Sequence, residues 1–142
     1  MEKIPSGLRD RKKLYEAAEK IWELEIDKDI KKELMNVLVW KIGETPNGKY
    51  KLKYRSKGAM NWKGTKGLNH EHVIPRKVLK EELINAKNKN EVNGILDKIT
   101  TCIVTRKEHD LLKKAKGSKW KRYKSAEIKV FDMSTKDKRR VV

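Results

Sequence analysis

The chain has little of several residue types that define large protein classes. Its single cysteine, Cys102, excludes an internal disulfide and a structural zinc site built from cysteines. We therefore expect a reducing, cytoplasmic setting. No stretch approaches the roughly 20 apolar residues that span a bilayer. A membrane partner is therefore not expected, and the first residues show no apolar signal region.

Histidine is also scarce, and its placement is informative. Of three histidines, His70 and His72 flank Glu71 in the segment Leu-Asn-His-Glu-His-Val-Ile-Pro at 68–75, and His109 follows a short apolar stretch. A carboxylate and an imidazole can hold a divalent cation, and an imidazole that titrates near neutrality can deprotonate a water. The sequence therefore predicts that these side chains form one site.

Acidic residues are missing from one part of the chain, which makes the net charge of +17 uneven. Residues 1–46 hold ten basic and ten acidic side chains, residues 47–69 hold seven and none, and residues 105–142 hold fourteen and five. A concentrated positive field favours a polyanion, because each neutralised phosphate releases counterions. Nucleic acid is the predicted partner, and a basic surface that serves only solubility is the alternative.

Aromatic residues interleave with the basic ones. Rings at Trp62, Trp120 and Tyr123 can stack on sugars or bases while cations bind phosphates, although the same rings can be core. The side chains predicted to bind nucleic acid are Lys51, Lys53, Arg55, Lys63, Lys77, Lys121 and Arg122.

The apolar spacing predicts an α+β fold. Ser6 is a candidate cap for a first helix that ends near residue 26, and Asp27 or Asp29 for a second that ends at residues 43–48. An apolar run at 35–40 leaves a homodimer open. The remaining predicted elements are strands at 49–55, 68–74, 101–104 and 127–131, helices at 76–86, 91–99 and 106–116, and a loop at 56–67.

Residues 71–75, Glu-His-Val-Ile-Pro, resemble the Asp/Glu-His-Ile/Val-Ile/Val-Pro opening of the HNH, or ββα-metal, endonucleases. Residues 104–112 resemble the strand-to-helix segment that carries the last histidine of that family. The resemblance covers 68–114, about a third of the chain. It implies a ββα-metal core at 47–133 with inserted helices, a helical unit at 1–46 packed on it and a loose basic tail at 134–142, all in one compact domain.

The resemblance also implies an activity and roles for residues. The chain would be a metal-dependent endonuclease that hydrolyses phosphodiester bonds of nucleic acid, with DNA favoured over RNA. Its cofactor would be one divalent ion, Mg²⁺ first, with Mn²⁺, Ni²⁺ and Zn²⁺ left open. Glu71 and His109 would bind the ion, and His72 would be the general base. Arg76 and Lys77 would contact the scissile phosphate or its neighbour.

Several features depart from the family pattern: about 25 residues are inserted after Pro75, the cysteine pairs that bind structural zinc in many members are missing, and two departures concern the site itself. Thr100 stands where the middle Asn of the family is expected and would take its role, with Thr101 and Asn93 as alternatives. His70 has no counterpart, and it is a third ligand, a phosphate contact or a surface histidine.

Three kinds of biological role fit the resemblance: a restriction enzyme, a phage or mobile-element nuclease, and a toxin with an acidic inhibitor. Two other functions remain open. The first is a nucleic-acid-binding module of the same fold with weak catalysis, and the second is a protein with a structural zinc site at Glu71 and the three histidines.

Overall fold

The computed structural model describes residues 6–46, 48 and 51–142. Over these residues the protein is mixed α+β, with seven α-helices and a four-stranded sheet, which confirms the predicted class. In the described part, no helix has both the length and the apolar character to cross a membrane. The elements in chain order are a 3₁₀ helix Ser6–Arg9, α1 Arg11–Glu23, α2 Lys28–Gly43, β1 Tyr54–Ser56, α3 Lys57–Met60, β2 Leu68–His72, α4 Arg76–Ile84, α5 Lys89–Leu96, β3 Thr101–Thr105, α6 Arg106–Lys114, α7 Trp120–Ser125 and β4 Val130–Asp132.

The chain forms two compact units. The helical unit comprises Met1–Gly48 and Ile74–Thr100, and the sheet unit comprises Lys49–Val73 and Thr101–Val142. The helices that the sequence predicts as an insertion in the core, α4 and α5, therefore belong with α1 and α2.

Aspartate caps set the helix starts in the helical unit. The carboxylate of Asp10 accepts a hydrogen bond from the backbone of Lys13 at 3.3 Å, so α1 begins at Arg11 and the predicted α-helical start at Ser6 is wrong. Asp27 caps α2 in the same way, as predicted. The core of this unit consists of buried apolar side chains from the four helices and the segment after α5: Leu14, Ala18, Met35, Val39, Ile42, Leu79, Leu83, Val92, Leu96 and Ile99.

The sheet unit places β2 at one edge of its sheet. The strand order is β2-β3-β1-β4, with β2 antiparallel to β3, β3 parallel to β1, and β1 antiparallel to β4. Helix α6 follows β3 directly and contacts both β3 and β2. Every residue of β3 is buried, which places this strand at the centre of the unit.

Other predicted elements differ in extent. The predicted strand at 49–55 survives only as Tyr54–Ser56, and its first two residues lie outside the described residues. The predicted loop at 56–67 contains α3, because the Ser56 hydroxyl caps it by accepting from the backbone of Ala59 at 3.1 Å. The segment 134–142 is not loose: Arg140 bridges to Phe131, and the backbone of Val141 donates to Val130 at 2.8 Å.

Candidate functional site

Glu71 and His109 meet where the edge strand contacts α6. The carboxylate oxygen Oε2 of Glu71 lies 2.5 Å from Nδ1 of His109. Their side chains are 12% and 26% exposed, so the pair is shielded yet reachable from solvent. The two residues predicted as metal ligands, 38 positions apart, are thus brought into direct contact.

A capping box fixes the start of α6 and with it the position of His109. The Thr105 hydroxyl accepts from the backbone of Glu108 at 3.2 Å, and the Glu108 carboxylate accepts from the backbone of Thr105 at 2.8 Å. The same Glu108 oxygen accepts from the fully buried hydroxyl of Ser56 at 2.5 Å, which joins the start of α6 to β1. The first turn of α6 is therefore held from two sides.

Arg122 occupies the other oxygen of Glu71. Its Nη2 donates to Glu71 Oε1 at 3.1 Å and to the backbone carbonyls of His72 and Val73 at 3.1 and 3.4 Å. Its side chain is only 12% exposed. Glu71 therefore lies between a guanidinium and an imidazole, and α7 is tied to the end of β2.

His70 and His72 lie on the other face of β2. Side chains alternate across a strand, so these two residues point away from the face that carries Glu71. Their ring centroids are 5.2 Å apart, as expected for neighbours on one face. On that face Leu68 packs with Ile103 in a small core, and His72 itself is only 6% exposed.

The pair suits a divalent cation in the chemistry of its donors, because a carboxylate oxygen and an imidazole nitrogen are both common metal ligands. Throughout the described ranges, no three His, Cys, Asp or Glu side chains are grouped to hold a metal ion. His70 therefore does not form a three-residue ligand group with Glu71 and His109. Within the described residues, the arrangement offers two protein donors, Glu71 and His109.

The residue opposite His72 in the sheet is Thr101. Backbone register pairs His72 with Thr101 and Glu71 with Cys102. Thr100, predicted in place of the family Asn, precedes β3. Its hydroxyl donates a hydrogen bond to the carbonyl of Lys98 at 3.4 Å. Of the two threonines left open by the sequence, Thr101 is the one in register with the candidate base.

Arg76 and Lys77, predicted as phosphate contacts, begin α4 in the helical unit. The Arg76 guanidinium lies 5.5 Å from the ring centroid of the partly exposed Trp40, and Lys77 is exposed. Asn93, the third alternative for the family Asn, donates to Glu19 at 2.8 Å within the same unit.

The sheet unit carries nearly all the excess charge. Residues 49–73 and 101–142 contain 21 of the 37 basic and 6 of the 20 acidic side chains, a net charge of +15 out of +17. Among the predicted nucleic-acid contacts, Lys51, Lys53, Lys63 and Lys121 are exposed in this unit. Lys53 also pairs with Asp132 at 3.6 Å.

Two predicted contacts are less available. The Arg55 guanidinium donates to the carbonyl of Ala59 at 3.0 Å, and Arg122 is held at Glu71. Of the rings, Trp62 is 44% exposed, whereas Tyr123 is fully buried and packs against Trp120 with centroids 5.0 Å apart. Tyr123 is therefore core, and Trp62 is the most exposed of the three predicted rings.

Cys102 is a structural thiol, as predicted. It is fully buried opposite Glu71. Burial raises the pKa of the Cys102 thiol well above its usual range, and the negative charges of Glu108 and Glu71 add to the effect. The thiol therefore stays protonated near neutral pH and is not a nucleophile.

Sequence reasoning missed two contributors to this site. The Thr-x-x-Glu signature at 105–108 is a readable capping box that fixes α6. Arg122 had no local signal, since it is one basic residue among many and its partners are about fifty positions away. Neither a protein-family model, nor a curated protein, nor a solved structure matches the chain.

Proposed function

We propose that this protein is a metal-dependent endonuclease of the HNH, or ββα-metal, type that hydrolyses phosphodiester bonds of nucleic acid, with DNA favoured over RNA. The observation that carries the proposal is the contact between Glu71 on a strand and His109 on the helix after the paired strand. A pair of antiparallel strands followed by a helix, with a carboxylate and an imidazole converging between them, is the arrangement that this chemistry needs.

The charge of the sheet unit supports a polyanionic substrate. A net charge of +15 surrounds the pair, and the exposed lysines in this unit can hold a phosphate backbone. The helical unit, with a net charge of +2, lacks that field.

Glu71 and His109 would hold the divalent ion. When bound, that ion offsets negative charge on the phosphate and on the leaving oxygen. His72 would accept the proton of the attacking water. The water oxygen would then bond to phosphorus as the bond from phosphorus to the leaving oxygen breaks. The leaving oxygen would take up a proton. His72 and Glu71 lie on opposite faces of β2, which is an edge strand, so the phosphate would have to lie at that edge to approach both side chains.

A nucleic-acid-binding module with weak catalysis is the second candidate. The burial of His72 favours it, because a general base must reach the water that it deprotonates. A threonine in place of the family Asn favours it as well.

Incubation of the purified protein with supercoiled DNA, single-stranded DNA and RNA separates the two candidates. Cleavage is expected with Mg²⁺ or Mn²⁺ and none with EDTA. Glu71→Gln and His109→Gln should abolish cleavage or raise the metal concentration that gives half-maximal cleavage. Asp110→Asn is the matched control, because Asp110 is an exposed neighbour of His109.

The outcomes divide clearly. Salt-dependent binding without cleavage in any metal supports the binding module. Cleavage that survives in EDTA, or equal metal requirements in all three variants, contradicts the proposed site.

A further inference from the structure

Arg122 differs from the basic residues around it. Lys119, Lys121 and Lys124 are exposed, whereas the Arg122 side chain is 12% exposed. Its Nη2 is shared among three acceptors, Glu71 Oε1 and the carbonyls of His72 and Val73. A guanidinium that is 12% exposed and already donates to Glu71 offers little surface to a phosphate.

The three acceptors belong to consecutive residues at the end of β2. One nitrogen therefore fixes both the rotamer of Glu71 and the backbone that carries His72. With Oε1 bound to Arg122, Oε2 is the oxygen left to face His109, which is what the 2.5 Å contact shows. Loss of this link would leave the Glu71 carboxylate held by His109 alone.

We propose that Arg122 is a positioning residue for the Glu71 and His109 site and not a contact to nucleic acid. The inference rests on the proposed function only in treating Glu71 and His109 as metal ligands. The position of Arg122 and its absence from the nucleic-acid surface are measurable without metal and without cleavage.

The first measurement is the salt dependence of DNA binding in EDTA. A lost phosphate contact lowers the log-log salt slope by about one. Lys121→Ala should show that loss, whereas Arg122→Ala should keep the wild-type slope. If Arg122→Ala does not fold, Arg122→Gln replaces it, since glutamine retains a donor without the charge.

The second measurement uses Arg122→Lys, which keeps the charge and loses the planar guanidinium. In the metal-free protein, the imidazole NMR signals of His109 should shift in Arg122→Lys and stay unchanged in Lys121→Arg. Calorimetry with Mn²⁺ alone should show an affinity lower by about tenfold in Arg122→Lys, the usual effect of losing a group that orients a ligand.

A salt slope that falls equally in Arg122→Ala and Lys121→Ala would overturn the inference, as would unchanged His109 signals in Arg122→Lys. A wild-type protein that binds no Mn²⁺ would instead refute the proposed metal site. The slope and the His109 signals would still decide the role of Arg122 in that case.

Discussion

Removal of the Glu108 carboxylate should destabilise the sheet unit more than any other single change on the surface of α6. Glu108→Ala removes two hydrogen bonds to Oε1, from the Thr105 backbone at 2.8 Å and from Ser56 at 2.5 Å. Loss of the hydrogen bond from the Thr105 backbone costs about 1 kcal/mol. The fully buried Ser56 hydroxyl then lacks an acceptor, which adds about 1 to 3 kcal/mol. We expect a free energy of unfolding lower by about 2 to 4 kcal/mol, measured by urea denaturation.

Asp110→Ala is the control for this change. Asp110 lies in the same helix and pairs with Lys113 at 3.9 Å, but both side chains are about two-thirds exposed, so its loss should cost under about 0.5 kcal/mol. Glu108→Gln keeps an acceptor oxygen and should cost less than Glu108→Ala. A Cβ at Gly58 would lie 3.0 Å from the Glu108 carboxylate, so Gly58→Ala should be better tolerated once Glu108 is alanine. Equal unfolding free energies for Glu108→Ala and Asp110→Ala would refute the role of the capping box.

Three further outcomes test other parts of the molecule. His72→Ala should lower the cleavage rate by roughly 10²-fold or more while folding and DNA affinity hold, and near-normal cleavage would remove His72 as the general base. Charge reversal at the exposed Lys51 and Lys121 should weaken DNA binding and flatten its salt dependence, whereas Lys28→Glu in the helical unit should do little; equal losses would mean that only net charge matters. Cys102 should resist a thiol reagent at pH 8, because its raised pKa leaves little thiolate and burial blocks access, and should react on unfolding in urea; rapid labelling of the native protein would contradict its burial.

Strong local signals account for what the sequence predicted well. The β-branched residues of β3 and the Thr-x-x-Glu start of α6 specify a strand that turns into a helix, and the Glu-His pair precedes a strand-ending proline. These signals placed His109 at the start of a helix, and the resemblance to a family then selected Glu71 and His109 as partners. Alternation along β2 also predicts that His72 faces away from Glu71, which the resemblance to a family does not specify.

Contacts that depend on tertiary packing could not be predicted from the sequence. Nothing near Arg122 distinguishes it from the exposed Lys121, because its burial follows from the placement of α7 against β2. Likewise, α4 and α5 have ordinary amphipathic patterns, and such patterns do not specify which core they join. Residues 134–142 are charged and lack periodicity, yet they are held by backbone hydrogen bonds. Such bonds do not depend on the identity of the side chains, so the sequence gives no signal for them.

The path of the chain through the two units has a consequence for folding order. Strands β2 and β3 are adjacent in the sheet, but residues 73–100, mostly helical, intervene in sequence. While those helices are unfolded, pairing of the two strands must close a long flexible loop. The entropic cost of closing that loop opposes the pairing of Glu71 with Cys102. Once α4 and α5 have formed, the intervening chain has far less entropy to lose. The ββα segment should therefore assemble after the helical unit has folded. Substitutions in the core of the helical unit should slow the formation of the Glu71 and His109 site, although that core contributes no side chain to the site.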